Sequence, residues 1–337
     1  MSRETWLAER RGGIGGTDAA AILGVSKFAT PYDVWLEKTR VLPPIEPNES
    51  MWWGSALEDL VAQRYMLDTG RKVWNPERIY YDEAWPVLRG TPDRLCIGEK
   101  RGVEIKTAGP YNAHQWGEEG TDQIPEAYLV QVCVYMAITG FPVWDVAVLI
   151  GGSDFRIYTV RRDERIETYI RKTLREWWES FVETELPPPI TDADSISDSL
   201  ARAFPREQFT SIEVTPDAES WALQLQIARD ALARDERLKA EAENNLKAIL
   251  GDAEGMANPN FKITWRAAKD SEKVNWKAVA QVALEFYEGC GHSAAEMIAQ
   301  HTKAVPGSRR FVFASLVDGL TPTQAVKRLA SIAGGSE

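Results

Sequence analysis

The strongest constraint on the fold is a short segment in which apolar and charged residues alternate. Val103 and Ile105 are β-branched, and glycines lie close to both ends of the segment. The charged residues that alternate with them are Glu104 and Lys106. On a strand, residues i and i+2 share a face, so the two charged side chains point to one side and the two apolar ones point into a core. The segment therefore predicts a strand that carries an acid and an amine on one face.

A second acid precedes this strand. Asp93 lies eleven positions before Glu104, and a short turn between them predicts a hairpin. Two carboxylates beside the Lys106 ammonium can hold a divalent cation and position a water, which is the chemistry of phosphodiester hydrolysis. A Glu-x-Lys triplet alone is weak evidence, because it also describes an ion pair on an exposed strand. Other motifs must therefore support the interpretation.

A third acid, Glu58, follows Trp53 and Gly54 in the sequence. We expect it in the first or second turn of a helix that begins near Gly54 and ends at Gly70. In that position Glu58 either joins the metal site or serves as an ordinary acidic partner of the helix dipole. The sequence leaves both interpretations open.

A glutamine on a later helix is a further candidate. Tyr128, Gln131 and Tyr135 are spaced by three and four residues, which places them on one face of a helix predicted over 126–139. Gln131 is then either a surface residue or, beside a metal site, a hydrogen-bond partner of the attacking water or of a phosphate oxygen.

A glycine-rich loop near the start of the chain predicts an anion site. The loop runs from Arg10 and Arg11 through four glycines, the last two being Gly15 and Gly16, to Thr17. Uncovered backbone N–H groups, a helix N-terminus and two arginines together favour phosphate. The loop lacks the Gly-Lys-Ser/Thr ending of a nucleotide-binding P-loop, so we predict no ATP site. The alternative is a tight turn packed against a strand.

Residues 1–190 are predicted to form one α/β domain. The predicted helices cover 19–23 with a cap at Thr17 and Asp18, a segment opened by Thr30 and Pro31, 54–70, 126–139 and 166–181; the predicted strands cover 78–81, 87–89, 103–106, 143–150 and 155–160. The triple proline at 187–189 cannot continue a helix, so we place the domain boundary there. The polar, acidic stretch 191–212 is predicted to be a linker.

Residues 213–337 are predicted to form a helical arm and a small α/β subdomain. A helix over 216–250 has a charged middle, which indicates a solvated arm or a helical hairpin. A strand is expected over 261–265, with 310–313 as a candidate partner strand, and a helix over 274–287. This half contains no motif that indicates catalysis.

Composition limits the classes of function. The net charge of −11 means that any contact with DNA must be confined to a local basic surface. No apolar stretch approaches the roughly 20 residues that span a bilayer, and the first residues do not form a signal region, so we expect no membrane contact and a cytoplasmic location. Three scattered cysteines, Cys96, Cys133 and Cys290, are expected to be reduced core thiols.

The ordered set of motifs resembles the phage lambda exonuclease family. These motifs are an arginine-containing glycine-rich loop ending in Ser/Thr, then Trp-Gly-x-x-x-Glu, Pro-Asp, Glu-x-Lys and a helical Tyr-x-x-Gln. More closely, roughly residues 8–185 resemble the YqaJ-type viral recombinase branch of the PD-(D/E)XK nuclease superfamily. The resemblance implies an α/β, restriction-endonuclease-like core, in which helices flank a mixed sheet, followed by a mainly helical C-terminal extension.

The resemblance also implies roles for the matched residues. It implies metal ligation by Asp93, Glu104, the Ile105 backbone carbonyl and Glu58, the last directly or through water. Lys106 would orient the nucleophilic water and help to deprotonate it, and Gln131 would support this catalytic site. The implied cofactor is Mg²⁺, with Mn²⁺ as an alternative, at one or two ions per site.

For the DNA end, the resemblance implies that Arg10 and Thr17 receive the 5′-phosphate beside the backbone of Gly15 and Gly16. Arg11 replaces Arg10 if the alignment shifts by one residue. The family often has serine where this chain has Thr17, and the hydroxyl group is kept. The positions that bind phosphate are therefore chemically matched to the family pattern.

The implied function is metal-dependent 5′–3′ degradation of double-stranded DNA, which leaves 3′ single strands for phage-type recombination by annealing. Implied partners are DNA ends, further copies of the chain in a ring, and a single-strand annealing protein. The implied setting is a bacterial host cell, with the gene carried by a phage or prophage. Two alternatives remain: a structure-specific or restriction-type endonuclease on the same core, and a non-catalytic DNA-binding or annealing module.

Overall fold

The computed structural model describes residues 9–40, 48–206, 211–267 and 275–302 of the 337-residue chain. The chain divides into two units, residues 1–206 and residues 207–337. The first unit contains the predicted α/β elements, and the second contains the predicted helical arm.

A mixed sheet forms the centre of the first unit. The described part of this unit contains the strands β1 (Val73–Trp74), β2 (Tyr80–Tyr81), β3 (Arg89–Gly90), β4 (Arg94–Cys96), β5 (Arg101–Ala108), β6 (Val143–Ile150) and β7 (Asp154–Arg161). Five of them form one sheet in the order β1-β4-β5-β6-β7, and β2 pairs with β3. Only the β5–β6 pair is parallel among the described neighbours in this sheet. The predicted mixed α/β class is therefore confirmed.

Helices accompany this sheet. They are α1 (Gly16–Ile22), α2 (Pro31–Thr39), α3 (Glu49–Thr69), α4 (Glu126–Thr139), α5 (Glu164–Trp177) and α6 (Asp194–Ala203), with a 3₁₀ helix at Pro110–Gln115 and a π-helical turn at Trp178–Val182. Helix α4 lies in the connection between β5 and β6, because parallel neighbours require a crossover. Its bounds are those predicted, and it ends at Gly140, whose φ of 68° suits glycine.

Two helices begin earlier than predicted. The side chain of Asn48 caps α3 by accepting a hydrogen bond from the N–H of Met51 at 3.0 Å, so Glu58 lies in the third turn of this helix. Helix α1 begins at Gly16, and Asp18 caps it by accepting from the N–H of Gly15 at 3.0 Å. The predicted cap at Thr17 is therefore wrong, since Thr17 already lies inside the helix.

The sheet is buried on both faces. Val103 and Ile105 pack with α3, as the alternating pattern predicts, but Glu104 on the opposite face is also buried. Strand β5 is longer than predicted and includes Gly102, which contacts Trp144. A methyl group at Gly102 would come within 2.3 Å of this fully buried indole ring. Glycine at 102 thus permits close packing inside the strand.

The segment predicted as a linker contains helix α6. Ile196 of this helix is buried in the main core, and the Ser195 hydroxyl donates a hydrogen bond to Asp33 Oδ2 at 2.8 Å. The first unit consequently extends to residue 206 rather than ending near 190. The polar, acidic composition of the segment concealed this helix because only one of its faces is buried.

The described part of the second unit contains α7 (Pro216–Leu250), β8 (Gly255–Ala257), β9 (Lys262–Thr264), α8 (Trp276–Gly289) and α9 (Ala294–His301). Helix α7 is one continuous helix with the predicted bounds, and only Leu223 and Leu250 are buried in it. Strand β9 pairs with β8, whereas its predicted partner at 310–313 lies outside the described residues.

Two further expectations concern the whole chain. Within the described ranges, no helix has both the length and the apolar character needed to cross a bilayer. Cys96 and Cys133 are buried, as predicted, but Cys290 is exposed. The prediction was wrong for Cys290, which follows the last residue of α8 at the end of that helix.

Candidate metal centre and phosphate site

The β4–β5 hairpin brings the two predicted acids together. Asp93 directly precedes β4, and its Oδ2 accepts a hydrogen bond from the backbone N–H of Ile105 at 2.8 Å. On β5, Lys106 Nζ donates to Glu104 Oε1 at 2.5 Å. The antiparallel register, with Arg94 opposite Val103, accounts for this proximity. The structure thus places two carboxylates and one ammonium in a single cluster.

The electrostatics of this cluster favour a cation. The Glu104 side chain is only 1% exposed, and its Oε2 has no hydrogen-bond partner among the described residues. Burial and the neighbouring charge of Glu104 raise the pKa of Asp93 to about 7. Two crowded carboxylates with an unpartnered oxygen are the oxygen-only donor set that Mg²⁺ and Mn²⁺ prefer. The residues present therefore fit a hard divalent cation.

Lys106 is held as a cation. Burial acts to lower the pKa of Lys106, but the charges of Glu104 and Asp93 outweigh burial and raise the pKa above its usual value. The ammonium also lies 4.9 Å from the centre of the Tyr128 ring. A lysine with a raised pKa does not remove a proton from water near neutral pH. Without a bound cation, Lys106 is therefore an ammonium beside the two acids, which suits it to stabilising negative charge.

Glu58 faces an arginine that the sequence analysis did not single out. Arg94 Nη1 donates to Glu58 Oε1 at 2.6 Å, and Nη2 donates to Asp59 Oδ1 at 2.5 Å. Burial and the charge of Asp93 raise the pKa of Glu58, so Glu58 lies within electrostatic reach of the acid pair. Across the described residues, however, no three Asp, Glu, His or Cys side chains adopt a metal-binding arrangement. Two adjacent acids, Glu58 and Asp59, indicate that a cationic side chain lies close to both, and this was the sequence signal that could have pointed to Arg94.

Gln131 is buried beside the same cluster. Its Nε2 donates to the Tyr135 hydroxyl at 3.0 Å. Burial, together with the charges of Glu104 and Asp93, raises the pKa of Tyr135, which shows that this part of α4 faces the acids. A methyl group at Gly16 would approach Gln131 Cγ to 2.7 Å. Gly16 therefore allows α1 to pack closely against α4, and Gln131 is not a surface residue.

The glycine-rich loop is less open than predicted. The N–H of Ile14 donates to the Val87 carbonyl at 2.7 Å, and the N–H of Gly12 donates to the Glu9 carbonyl at 3.2 Å. The N–H of Gly15 is bound by the Asp18 side chain. These groups are therefore not available to an anion. From Gly12 to Gly15, the alternative interpretation is therefore correct: the loop is a tight turn packed against the segment around Val87.

Asp18 fixes the end of this loop. Its burial acts to raise its pKa, but Lys38 Nζ at 2.7 Å and Arg10 Nη2 at 3.6 Å hold the pKa below its usual value. Arg10 and the exposed Thr17 both line a cleft of about 1510 Å³, whereas Arg11 does not. Among the side chains predicted to bind phosphate, these two line the cleft.

The cleft lined by Arg10 and Thr17 comes close to the acid cluster, although neither Asp93 nor Glu104 lines it. Its lining includes Arg10 and Thr17, together with Gln131 and Tyr128 from α4 and Thr107 from β5. Thr107 directly follows Lys106, and Tyr128 contacts the Lys106 ammonium. A ligand bound at Arg10 could therefore extend along α4 toward the acids.

The pKa of Asp93 predicts how stability changes with pH when no divalent cation is present. The pKa of an aspartate in an unfolded chain is about 3.9, whereas the pKa of Asp93 in the folded protein is about 7. Between these values the folded protein binds more protons than the unfolded chain, so the free energy of unfolding falls as pH rises from about 4 to about 7. We expect Asp93→Asn to lose this part of the pH dependence in urea unfolding with EDTA. An unchanged dependence would contradict the raised pKa.

Comparisons with known proteins identify the family of the chain. The model of the family described as YqaJ-like viral recombinase domain matches residues 5–142. The uncharacterized protein YqaJ of Bacillus subtilis (strain 168) is 32% identical over 292 residues, which cover 86% of this chain and 90% of that protein.

Two solved structures share part of the fold at low similarity. An alkaline exonuclease, LHK-Exo, from Laribacter hongkongensis is 18% identical and covers 54% of this chain and 94% of its own, with a TM-score of 0.43. A phage-related exonuclease from Haemophilus somnus 129PT is 11% identical and covers 51% of this chain and 96% of its own, with a TM-score of 0.42. The sequence relation, rather than these scores, establishes the family. The chain belongs to the YqaJ-like viral recombinase family.

Proposed function

We propose that the protein is a metal-dependent exonuclease that degrades double-stranded DNA from a 5′ end and leaves 3′ single strands. One observation carries this proposal. Asp93 and Glu104 lie together beside the Lys106 ammonium, and Glu104 retains a buried oxygen without a partner. Membership of a recombinase family agrees with the formation of single strands for annealing. Mg²⁺ is the proposed cofactor, with Mn²⁺ as an alternative.

The metal would be held by oxygen atoms of the hairpin. Asp93, Glu104 and the Ile105 carbonyl are the proposed ligands, with Glu58, one of whose oxygens is bound by Arg94, as an additional ligand. When bound, a divalent cation polarises a phosphoryl oxygen and lowers the pKa of a water ligand. The buried setting of Glu104 strengthens the interaction of its charge with any cation placed there.

The remaining side chains stabilise charge and orient the substrate. Lys106 orients the attacking water and offers an ammonium to the negative charge that develops on the phosphate. Gln131, held by Tyr135, presents an amide at the wall of the cleft, where it can orient the phosphate or the attacking water. Its burial limits the rotamers available to it, which favours a fixed geometry.

Recognition of the DNA end would take place in the same cleft. The Arg10 guanidinium and the Thr17 hydroxyl are the two predicted phosphate ligands that line it. A terminal 5′-phosphate carries more charge than an internal phosphodiester, so an arginine and a hydroxyl beside the site favour ends over internal positions. A ring of several copies and an annealing protein as partner belong to the same proposal.

The test uses a linear duplex labelled at one end, with either a 5′-phosphate or a 5′-hydroxyl, in Mg²⁺ or in EDTA. We expect release of nucleotides from the phosphorylated 5′ end in Mg²⁺, slower release from the hydroxyl end, and none in EDTA. A covalently closed plasmid should remain intact. Cleavage of the plasmid would instead support an endonuclease, and binding without cleavage in Mg²⁺ or Mn²⁺ would support a non-catalytic module.

A further inference from the structure

Arg94 is a buried arginine with several hydrogen bonds near the proposed metal centre. Its side chain is only 6% exposed, and its guanidinium donates to three oxygens. Besides the carboxylates of Glu58 and Asp59, it donates to the backbone carbonyl of Asp93 through Nη1 at 2.6 Å. Arg94 therefore joins the helix that carries Glu58 to the strand that follows Asp93.

The acids of this region are already partly neutralised by the chain itself. They are Glu58, Asp59, Asp93 and Glu104, and the cations that contact them are Arg94 and Lys106. Lys106 occupies one oxygen of Glu104, and Arg94 occupies one oxygen of Glu58. An incoming divalent cation must therefore attract carboxylates that have internal partners.

Of the two proposed metal ligands that pair with a cation of the chain, Glu58 can change partner more readily than Glu104. Its side chain is 34% exposed, whereas that of Glu104 is 1% exposed, so its carboxylate has more room to rotate. Arg94 would not be left without acceptors, because Asp59 and the Asp93 carbonyl remain bound to it. The exchange thus avoids the cost of a buried, unpaired guanidinium.

We infer that Arg94 competes with the divalent cation for Glu58, and so acts as a positioning residue that weakens metal binding. This inference rests on the proposed metal-dependent nuclease. Glu58 binds Arg94 while the site lacks a cation and turns toward Asp93 when a cation binds. The guanidinium charge also repels the cation directly. Both effects lower the affinity for metal and make its release easier.

The test measures Mn²⁺ binding to the full chain without DNA, by electron paramagnetic resonance. Arg94→Gln removes the competing charge, so we expect Mn²⁺ to bind about tenfold more tightly than to the wild type. Arg94→Lys keeps the positive charge but cannot donate to Glu58 and Asp59 at the same time, as the guanidinium does. We therefore expect Mn²⁺ to bind about twofold more tightly than to the wild type. In a Glu58→Gln background only the direct repulsion by Arg94 remains, so the gain from Arg94→Gln should be about twofold smaller than in the wild type, whereas an undiminished gain would contradict the competition for Glu58.

The matched control is Arg101→Gln. Arg101 also donates to a carboxylate of the same sheet, Asp145 Oδ1 at 2.6 Å, and we expect its replacement to leave Mn²⁺ affinity unchanged. Equal or weaker binding by Arg94→Gln, with native circular dichroism, would overturn the inference. If that variant does not fold, equal or weaker binding by Arg94→Lys decides the matter in the same way. Wild-type protein that binds no Mn²⁺ would instead refute the metal centre itself.

Discussion

Glu104→Gln is expected to lower the rate of DNA hydrolysis by about a thousandfold or more. The substitution keeps the shape of the side chain but removes the charge that would hold the cation. Glu104 cannot be replaced by a neighbouring acid, because it is the most buried carboxylate of the cluster and carries the unpartnered oxygen. The measurement is the initial rate of nucleotide release from a 5′-phosphorylated duplex in saturating Mg²⁺.

A measurement of the stability of the Glu104→Gln protein distinguishes a loss of catalysis from a loss of folding. Removing the Glu104 charge weakens the pairing with the Lys106 ammonium but relieves the repulsion of Asp93, and the glutamine oxygen can still accept from Lys106, so the free energy of unfolding should fall by about 1–2 kcal/mol and leave the protein folded. Glu99→Gln is the matched control on the same hairpin, since Glu99 is exposed and pairs with Arg71 at 3.3 Å. We expect it to retain wild-type activity. A Glu104→Gln protein with wild-type activity would overturn the assignment of the metal centre.

Asp145→Ala is expected to destabilise the first unit by about 3–5 kcal/mol. Asp145 is 1% exposed and accepts hydrogen bonds from Tyr65 at 2.6 Å, from Arg101 at 2.6 Å and from Thr159 at 2.8 Å. These donors come from α3, β5 and β7, so one carboxylate on β6 connects four elements. Alanine would leave a guanidinium and two hydroxyls without their acceptor. The measurement is the free energy of unfolding in urea, followed by circular dichroism.

Two variants test the explanation for Asp145. Tyr65→Phe removes one of its three donors, so we expect a loss of only about 1 kcal/mol. Asp154→Ala removes an acid that pairs with Arg156 at 2.6 Å on the exposed end of the same hairpin, and we expect no resolvable loss. If Asp145→Ala lowers the free energy of unfolding as little as Asp154→Ala does, the buried hydrogen bonds of Asp145 contribute little to stability.

Local sequence pattern was sufficient for β5 and α4, the elements that carry Glu104, Lys106 and Gln131. The alternation around Glu104 identified β5 because a strand has a period of two, and Gly140 marked the end of α4 because its backbone adopts a positive φ. Residue chemistry then identified Asp93 as the second acid. All these signals lie within a few residues of the feature that they describe.

Contacts between distant residues could not be predicted in this way. Arg94 and Glu58 are 36 positions apart, and Tyr65 and Asp145 are 80 positions apart. A local pattern holds no information about such pairs, because their proximity depends on how α3 packs on the sheet. The same limit explains Gly16, whose role arises from close packing against Gln131 rather than from loop flexibility.

The unequal environments of the three thiols have a practical consequence. Burial raises the pKa of Cys133 to about 12, and it also raises the pKa of Cys96, so neither forms a reactive thiolate at neutral pH. Cys290 is exposed. A maleimide dye should therefore label the wild-type chain at one position in the second unit, far in sequence from the acids. Single molecules could then be followed along DNA by fluorescence, and processivity measured, without any engineered substitution.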